Sequence, residues 1–393
     1  MTQSPETAFH LYVHWPYCRA KCGYCDFASF VPKRAWDAAA WGAAYEADIA
    51  ALRGRTGSRE LGSVFFGGGT PSLAEPAVIG RVVEAALRAW EPRADLEVTL
   101  EANPGTVDKA GLRALRDAGV NRLSVGAQSF DPEDLARLGR IHSVDETKRV
   151  LDWAHHIFDR LSFDLITARP GLTPAAWRAE LAEALEFAGE HVSIYQLTVE
   201  DGTPLSRDVA AGRVTMLDED TEAEIFEDTR QIMAEAGRPA YEVSNFARPG
   251  AECRHNLAIW RGADYGGVGP AAHGRLTLEE GRFATRHAPD PAAWVKGPPP
   301  PRLEPLSAEE RAREHLMMAL RLTEGARAEP FRLRFAADGM ADPRELMNPD
   351  ALAEAVGLGL IESGEDGVRA TEQGVMLLNT LTARLLDGER TPR

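Results

Sequence analysis

The feature that most constrains the fold is a regular alternation of short strand-like runs with longer helical stretches in the first half of the chain. Runs rich in branched and aromatic residues, typical of β-strands, are FHLYVHW at 9–15, SVFFGG at 63–68, LEVTLEAN at 96–103, RLSVGAQ at 122–128, LSFDLIT at 161–167 and VSIYQLTV at 192–199. Stretches rich in alanine, leucine and glutamate with helical spacing lie between most of them, at 36–52, 76–90, 107–118, 144–156 and 174–188. Parallel strands joined by helical crossovers make an α/β protein, with either an open doubly wound sheet or a closed or partial barrel. Repetition of six or more such units favours the barrel type.

The length of the chain predicts two domains. At 393 residues it exceeds the roughly 250 to 300 at which a single core usually stops growing. The proline-rich stretch KGPPPPRLEP at 296–305 cannot continue a helix or a central strand, so we expect an extended spacer there. The predicted domains are therefore 1–296 and 306–393. Beyond the spacer, AREHLMMALRL at 312–322 reads as an amphipathic helix and 357–374 as two short strands around a Gly/Asp turn, which suggests a small winged-helix-like module.

Charge and hydropathy exclude several classes of function. The chain has 44 basic and 60 acidic residues, a net charge of −16 that repels phosphate backbones and argues against general nucleic-acid binding. No apolar run approaches the length of a membrane span, and MTQSPETAFH at 1–10 has neither a basic start nor an apolar signal region. We therefore expect a cytoplasmic protein, in which a tight cysteine group more often binds metal or does redox chemistry than forms a disulfide.

Polar motifs follow the predicted strands at the points where the strands end. They are GGGTPS at 67–72, EANPG at 101–105, GAQSF at 126–130, Asp164 near the end of the fifth strand, and a cysteine loop after the first. Because the carboxyl ends of parallel strands meet at one rim, we expect these motifs to form a common binding site.

Three of the four cysteines, Cys18, Cys22 and Cys25, lie within eight residues of one another, while Cys253 is far away in sequence. Four thiolates would complete a tetrahedral zinc site or the irons of a cubane cluster, whereas three leave one iron open to a further ligand. The spacing favours three corners of a [4Fe–4S] cluster. Zinc completed by a distant histidine or by Cys253 stays an open alternative.

The run CRAKCGYC resembles the CxxxCxxC signature of the radical SAM enzymes. The further motifs LYVHWPYC, YCDF, FFGGGTPS, EANPG, LSVGAQSF, LGRIHS and YQLTVEDGTPL occur in the order typical of the anaerobic coproporphyrinogen oxidase-like branch, and the resemblance covers most of 9–275. It implies a partial (β/α) TIM-like barrel of the radical SAM type. It also implies a [4Fe–4S] cluster whose open iron binds S-adenosylmethionine (SAM) and supplies the electron that cleaves it.

Two groups in this branch differ at positions that can be read in the sequence. The oxygen-independent coproporphyrinogen III dehydrogenases have another cysteine where this chain has Phe27. The heme chaperones of the HemW type have CDF there and an HNxxYW motif used in heme binding; this chain has His255, Asn256 and Trp260, but Ile259 in place of the tyrosine. The comparison favours the chaperones, with the dehydrogenase reaction as the alternative. A metal-binding scaffold without catalysis is a third possibility.

The resemblance assigns roles to individual residues. Cys18, Cys22 and Cys25 would ligate the cluster, and His255 would contact heme. The positions that match the family's SAM contacts or their aromatic neighbours are Tyr12, Tyr24, Gly68, Gly69, Thr70, Glu101, Gln128, Arg140 and Asp164. These residue types suit the task, because glycines allow close approach, arginine grips a carboxylate, and Glu and Asp accept hydrogen bonds from ribose and offset a sulfonium charge.

The same resemblance implies the partners. They are heme as cargo, client hemoproteins including membrane-bound respiratory enzymes reached by peripheral contact, and an electron donor such as flavodoxin or ferredoxin. If the protein is an enzyme, it would catalyse coproporphyrinogen III dehydrogenation or SAM cleavage alone.

Overall fold

The computed structural model describes residues 8–386, which contain one large sheet and one small one. The outermost residues of the two predicted domains, 1–7 and 387–393, lie outside the described residues. The strands are β1 Phe9–Trp15, β2 Glu60–Gly68, β3 Glu91–Ala102, β4 Arg122–Gln128, β5 Arg160–Thr167, β6 His191–Gln196, β7 Asn245–Ala247, β8 Tyr265–Val268, β9 His273–Leu278, β10 Gly281–Arg286, β11 Arg302–Leu306, β12 Ala326–Arg327, β13 Ile361–Gly364 and β14 Gly367–Ala370. All six predicted strands are present, as β1 to β6.

Helices connect the consecutive strands from β1 to β8, and α11 to α15 belong to the C-terminal region. Their bounds are α1 Ala38–Thr56, α2 Pro76–Ala89, α3 Lys109–Asp117, α4 Pro132–Arg137, α5 Val144–Ile157, α6 Pro174–Leu185, α7 Pro204–Ala210, α8 Glu219–Glu235, α9 Arg254–Trp260, α10 Pro291–Trp294, α11 Ala308–Ala319, α12 Ala328–Phe335, α13 Pro349–Gly357, α14 Glu372–Met376 and α15 Leu378–Leu386. Local sequence fixes several starts: Ser143 and Glu146 form a reciprocal capping box before α5, and proline occupies the first turn of α2 and α6.

The large sheet has eleven strands in the order β11-β10-β9-β8-β1-β2-β3-β4-β5-β6-β7. Strands β1 to β6 pair in parallel, as crossover connections require. The outermost strands, β7 and β11, pair on one side only, so the sheet is not closed. The expectation of a partial barrel is confirmed.

The two faces of this sheet differ in chemistry, because alternate residues of each strand point to opposite sides. Leu11, Val64 and Val98 are register partners on one face, and they belong to the hydrophobic core shared with the helices. On the opposite face Tyr12 aligns with Phe65, and Phe65 with Thr99. This inner face carries many polar and charged groups and positions the functional residues.

The C-terminal region has its own small sheet, in the order β12-β14-β13, together with α11 to α15. Leu316, Leu320, Ile361 and Val368 belong to a hydrophobic cluster separate from the main core. The amphipathic helix and the strand pair predicted here are α11 and β13–β14, which confirms the small C-terminal module. The position of the domain boundary stays a prediction.

The proline-rich stretch differs in one respect from the expected spacer. Its end forms β11, which pairs antiparallel with β10 and is an edge strand of the large sheet. Proline is tolerated at an edge because the missing N–H is not needed there.

Within 8–386, no helix combines the length and apolar character that crossing a bilayer requires.

Candidate functional site

The three clustered cysteines open onto a cavity of about 470 Å³ at the carboxyl ends of the parallel strands. Their loop directly follows β1, and its backbone hydrogen bonds include those from Cys18 N–H to Phe30 O (3.0 Å) and from Cys25 N–H to Cys22 O (3.3 Å). Eleven predicted site residues line this cavity: Cys18, Cys22, Tyr24, Cys25, Gly68, Gly69, Thr70, Glu101, Gln128, Arg140 and Asp164. Strand order thus brings together residues that span almost 150 positions of sequence.

All four cysteines are free thiols, and two of the cavity thiols accept hydrogen bonds from other predicted residues. Thr70 Oγ1 donates to Cys18 Sγ over 3.5 Å, and Arg140 Nη1 donates to Cys22 Sγ over 3.4 Å. Burial raises the pKa of the Cys25 thiol. Thr70 and Arg140 therefore stabilise negative charge on sulfur, a role that the sequence did not suggest for them.

The spacing of the thiols bears on the kind of metal group that they could hold. Among residues 8–386, no three His, Cys, Asp or Glu side chains converge on a point where one metal ion could bind them all. Cysteines of a cubane cluster bond different irons and need not converge in this way. Cys253 does not line the cavity; it is buried elsewhere, with its Sγ 3.6 Å from Glu97 Oε1, and burial raises its pKa to about 12.

The glycine loop after β2 fits closely against the end of β1. A Cβ on Gly68, which has φ +106°, would lie 2.6 Å from His14 Cε1, and a Cβ on Gly69 would lie 2.7 Å from Tyr17 O. The N–H groups of Gly69 and Thr70 donate to Trp15 O (2.7 Å) and Tyr17 O (2.8 Å). The glycines are therefore needed for contact between the loop and the cysteine segment.

Two half-buried carboxyl groups, those of Glu101 and Asp164, face the cavity from β3 and β5. Burial, and then the charge of Asp164, raise the pKa of Glu101 to about 8, although Gly68 N–H donates a hydrogen bond to it. Burial raises the pKa of Asp164 to about 6, opposed by hydrogen bonds from Ser193 and from Ser124, whose Oγ is 3.3 Å away. Near neutral pH this pair retains a proton that a cationic ligand would displace.

Two non-glycine residues at the same rim have positive φ angles. Gln128, the last residue of β4, has φ +70°, and Ala168, directly after β5, has φ +54°. Non-glycine residues with positive φ cost free energy and tend to occur at ligand sites. Sequence patterns carry no signal for this conformation in either residue.

The cavity also has apolar residues at its rim, to which the sequence analysis assigned no role in lining the site. Phe27, Ile141 and Tyr195 line it and are substantially exposed, with Phe27 at 58% of its maximum accessible surface. Apolar side chains around a polar cavity are typical of a site that receives a large ligand.

Tyr12 and His255, the remaining predicted site residues, do not line this cavity. The His255 ring is 3% exposed, stacks on Phe65 with 5.0 Å between ring centroids, and has Nδ1 2.7 Å from Ser63 Oγ. Burial holds the pKa of His255 well below its usual value. Tyr12 packs beside both rings, with its centroid 6.4 Å from that of Phe65 and 6.5 Å from that of His255, and its hydroxyl is 3.1 Å from His14 Nδ1.

The position of α9 explains why His255 is so deeply buried. His255 N–H donates to Glu97 Oε1 over 3.2 Å, and Glu97 pairs with Arg160 at 2.9 Å. Arg160 is the first residue of β5, Glu97 lies near the middle of β3, and Arg254 at the start of α9 contacts Asp95, so α9 packs away from the cysteine loop. The structure thus places His255 outside the cavity that eleven predicted residues line, with Tyr12 beside it.

Comparison with known proteins agrees with this geometry. The model of the radical SAM superfamily matches residues 12–188, and the model of the HemN C-terminal domain matches 306–377. The bovine mitochondrial "Radical S-adenosyl methionine domain-containing protein 1" is 42% identical over 325 residues, which cover 80% of this chain and 73% of that protein. The protein named heme chaperone HemW in Escherichia coli is 35% identical over 388 residues, covering 94% of this chain and 96% of HemW.

A solved structure shows the same fold. The coproporphyrinogen III oxidase HemN of Escherichia coli, a radical SAM enzyme, matches with a TM-score of 0.79 over 98% of this chain and 92% of its own, at 22% identity. Because the sequence identity is only 22%, this match supports a shared fold and not a shared function. The chain is 35% identical to HemW over almost the full length of both proteins, it matches the superfamily model, and three free thiols line its cavity. We conclude that this chain belongs to the radical SAM superfamily, in the family that includes HemW of Escherichia coli.

Proposed function

We propose that the cavity holds a [4Fe–4S] cluster on Cys18, Cys22 and Cys25, with SAM beside it. The observation that carries this proposal is that three free thiols and eight further predicted residues line one cavity. When bound, such a cluster supplies one-electron reduction of SAM. The residues of the chain bind and position both groups.

Each part of the cavity has a separate task in this proposal. Three thiolates leave one corner of the cluster without a protein ligand. Thr70 and Arg140 donate hydrogen bonds to the thiolates. Glu101 and Asp164 offer carboxylates that attract a sulfonium cation and accept hydrogen bonds from ribose hydroxyls.

We further propose that the protein is a heme chaperone, which binds heme and transfers it to client hemoproteins. The support is the identity of 35% to a protein named heme chaperone over nearly the whole of both chains. Phe27, where the dehydrogenases have a cysteine, and the His255–Asn256–Trp260 motif on α9 favour the same conclusion. Coproporphyrinogen III dehydrogenation is the rival function, for which the likeness to HemN supplies only a common fold.

The proposal includes partners and a location. Membrane-bound respiratory enzymes among the clients would be reached by peripheral contact, and a flavodoxin or ferredoxin would supply electrons. The exposed apolar rim at Phe27 and Ile141 is a suitable contact surface beside the cluster loop. We propose the cytoplasm as the place of action, while the bovine relative is named as mitochondrial.

Anaerobic reconstitution tests the first proposal. We expect about four irons and four sulfides per chain, and a change in the electron paramagnetic resonance of the reduced cluster on addition of SAM. Cys18→Ala, Cys22→Ala and Cys25→Ala should each lose the cluster, whereas Cys253→Ala, outside the cavity, should keep it. Zinc in place of iron, or a spectrum that SAM leaves unchanged, would contradict the proposal.

Two assays on the reconstituted protein separate the functions. Stoichiometric heme binding followed by transfer to an apo-hemoprotein supports the chaperone. Sustained conversion of coproporphyrinogen III to protoporphyrinogen, with release of carbon dioxide, would instead establish the dehydrogenase.

A further inference from the structure

A second cavity, of about 420 Å³, lies at the end of the sheet opposite the cysteine loop; we call it the arginine cleft. Ala8 lines the cleft and directly precedes β1, whereas Cys18 follows β1. At the rise of an extended strand this places the two cavities about 20 Å apart. The other wall of the cleft comes from α11 and α12 of the C-terminal region.

The cleft is rich in positive charge. Its lining includes two carboxylates, Asp264 and Glu314, and a larger number of arginines, namely Arg59, Arg275, Arg282, Arg311 and Arg334. This is an unusual local composition for a chain with a net charge of −16. The cleft therefore attracts an anion more strongly than the overall negative charge of the protein would suggest.

The ion pairs within the cleft leave guanidinium charge in excess. Arg59 and Arg282 share the single carboxylate of Asp264, at 2.6 and 3.0 Å. Arg275 pairs with Glu314 at 2.6 Å, Arg311 pairs with Asp338, and Arg334 donates a hydrogen bond to the carbonyl of Gly262. Guanidinium groups held in place by such contacts are well suited to bind a carboxylate through two hydrogen bonds.

The rest of the cleft is apolar and contains an imidazole. His315 packs against Phe335, with 5.5 Å between ring centroids, and its buried Nδ1 has no hydrogen-bond partner. Burial and the charges of Arg334 and Arg282 lower the pKa of His315 to about 3, so the ring is neutral at physiological pH. Met318 and Ile259 complete an apolar surface beside the arginines.

We propose that the arginine cleft binds the tetrapyrrole through its propionate carboxylates, with the apolar macrocycle against the residues around His315. This inference rests on the proposed heme-binding function and adds the place where the carboxylates are held. A heme combines a wide apolar face with two carboxylates on one edge, which is the combination that the cleft offers. Ile259 of α9 lines the cleft, so the site adjoins the helix that carries the His255 motif.

The test compares heme with heme dimethyl ester, whose carboxylates are blocked, by titration into the full-length reconstituted protein. We expect the wild type to bind the ester at least about tenfold more weakly, the amount expected for one lost charge-assisted hydrogen-bonded pair. This comparison needs no substitution and so does not depend on a variant that folds.

Substitutions then locate the effect. Arg334→Gln and Arg311→Gln should weaken heme binding about tenfold or more while leaving ester binding unchanged, and Arg334→Lys should retain part of the preference. Arg302→Gln, an exposed arginine in β11 outside the cleft, is the matched control and should behave as wild type. Unchanged cluster absorbance and thermal unfolding would show that each variant is folded.

The outcomes separate the two proposals. If wild type binds heme and its ester equally and the arginine variants bind heme as wild type does, the cleft is not the carboxylate site, although heme binding stands. If wild type binds no heme, the proposed chaperone function and this inference both fail.

Discussion

Glu101 and Asp164 are coupled across the intervening strand β4: burial raises the pKa of both carboxyls, and the charge of Asp164 raises that of Glu101 further, to about 8. Because of this coupling, the protonation of the two carboxyls should change with pH and with the binding of a positively charged ligand. Both effects can be measured.

The contribution of Glu101 to the stability of the protein without cofactors should fall as pH rises between about 4.5 and 8. The pKa of Glu101 is above its ordinary value of 4.5 in the folded state, so over this interval the folded protein holds a proton that the unfolded chain releases. Glu101→Gln should reduce this slope and stabilise the protein at pH 8 by about 1 kcal/mol or more. Urea unfolding at pH 5 and pH 8 measures the change, and identical slopes for wild type and variant would contradict it.

SAM binding at pH 7 should release protons. A sulfonium near Glu101 and Asp164 favours their charged forms and lowers their pKa values. Calorimetric titration in two buffers of different ionisation enthalpy gives the number of protons released. Glu101→Gln should release fewer; equal release by the two proteins would exclude Glu101 as the source.

Thr70→Val should lower the reduction potential of the cluster without removing the cluster. The hydroxyl of Thr70 donates to Cys18 Sγ, and hydrogen bonds to ligand sulfur stabilise the more negative, reduced state. Redox titration followed by electron paramagnetic resonance measures the potential. Thr198→Val is a suitable control, because Thr198 lines the same cavity but donates to Glu200.

Gly69→Ala should destabilise the protein by about 1 to 3 kcal/mol, because the new Cβ would collide with Tyr17 O. Reconstitution should also yield less cluster, since the collision displaces the cysteine segment. Gly54→Ala, at an exposed position of α1 with nothing within 4 Å of the new Cβ, should be neutral or stabilise by up to about 1 kcal/mol. Equal unfolding free energies for the two variants would contradict the close-contact explanation.

His255→Ala should weaken heme binding more than Ser63→Ala, although both remove the same buried hydrogen bond. The resemblance implies direct heme contact for His255, which requires α9 to move away from Glu97. Heme titration of both variants, with the absorption spectrum of each complex, distinguishes a ligand from a structural residue. Equal weakening by the two substitutions would assign His255 a structural role.

Local sequence was sufficient for β1 to β6 and for the grouping of residues around the cysteine loop. Strand ends are marked by a change from branched to polar or glycine-rich sequence, and parallel pairing then brings those ends together. Glu101 and Asp164 could be placed at one cavity for this reason, whereas Arg140, in the loop after α4, is assigned to it only by the family resemblance.

Three features could not be predicted because they depend on contacts distant in sequence. Strand β8 is only four residues long and pairs with β1 from about 250 residues away. The family resemblance assigns Tyr12 to the aromatic positions beside the cluster and cofactor, but the side-chain direction along β1 places it beside Phe65. The burial of His255 depends on α9 packing against Glu97, which the motif itself does not indicate.

The seven residues of β1 join the two cavities, with the proposed cluster ligands after one end and the arginine cleft at the other. Thermodynamic linkage makes any communication along this strand reciprocal: the factor by which heme changes the dissociation constant of SAM equals the factor by which SAM changes that of heme. One pair of titrations therefore reveals whether cargo loading and cofactor loading are independent events.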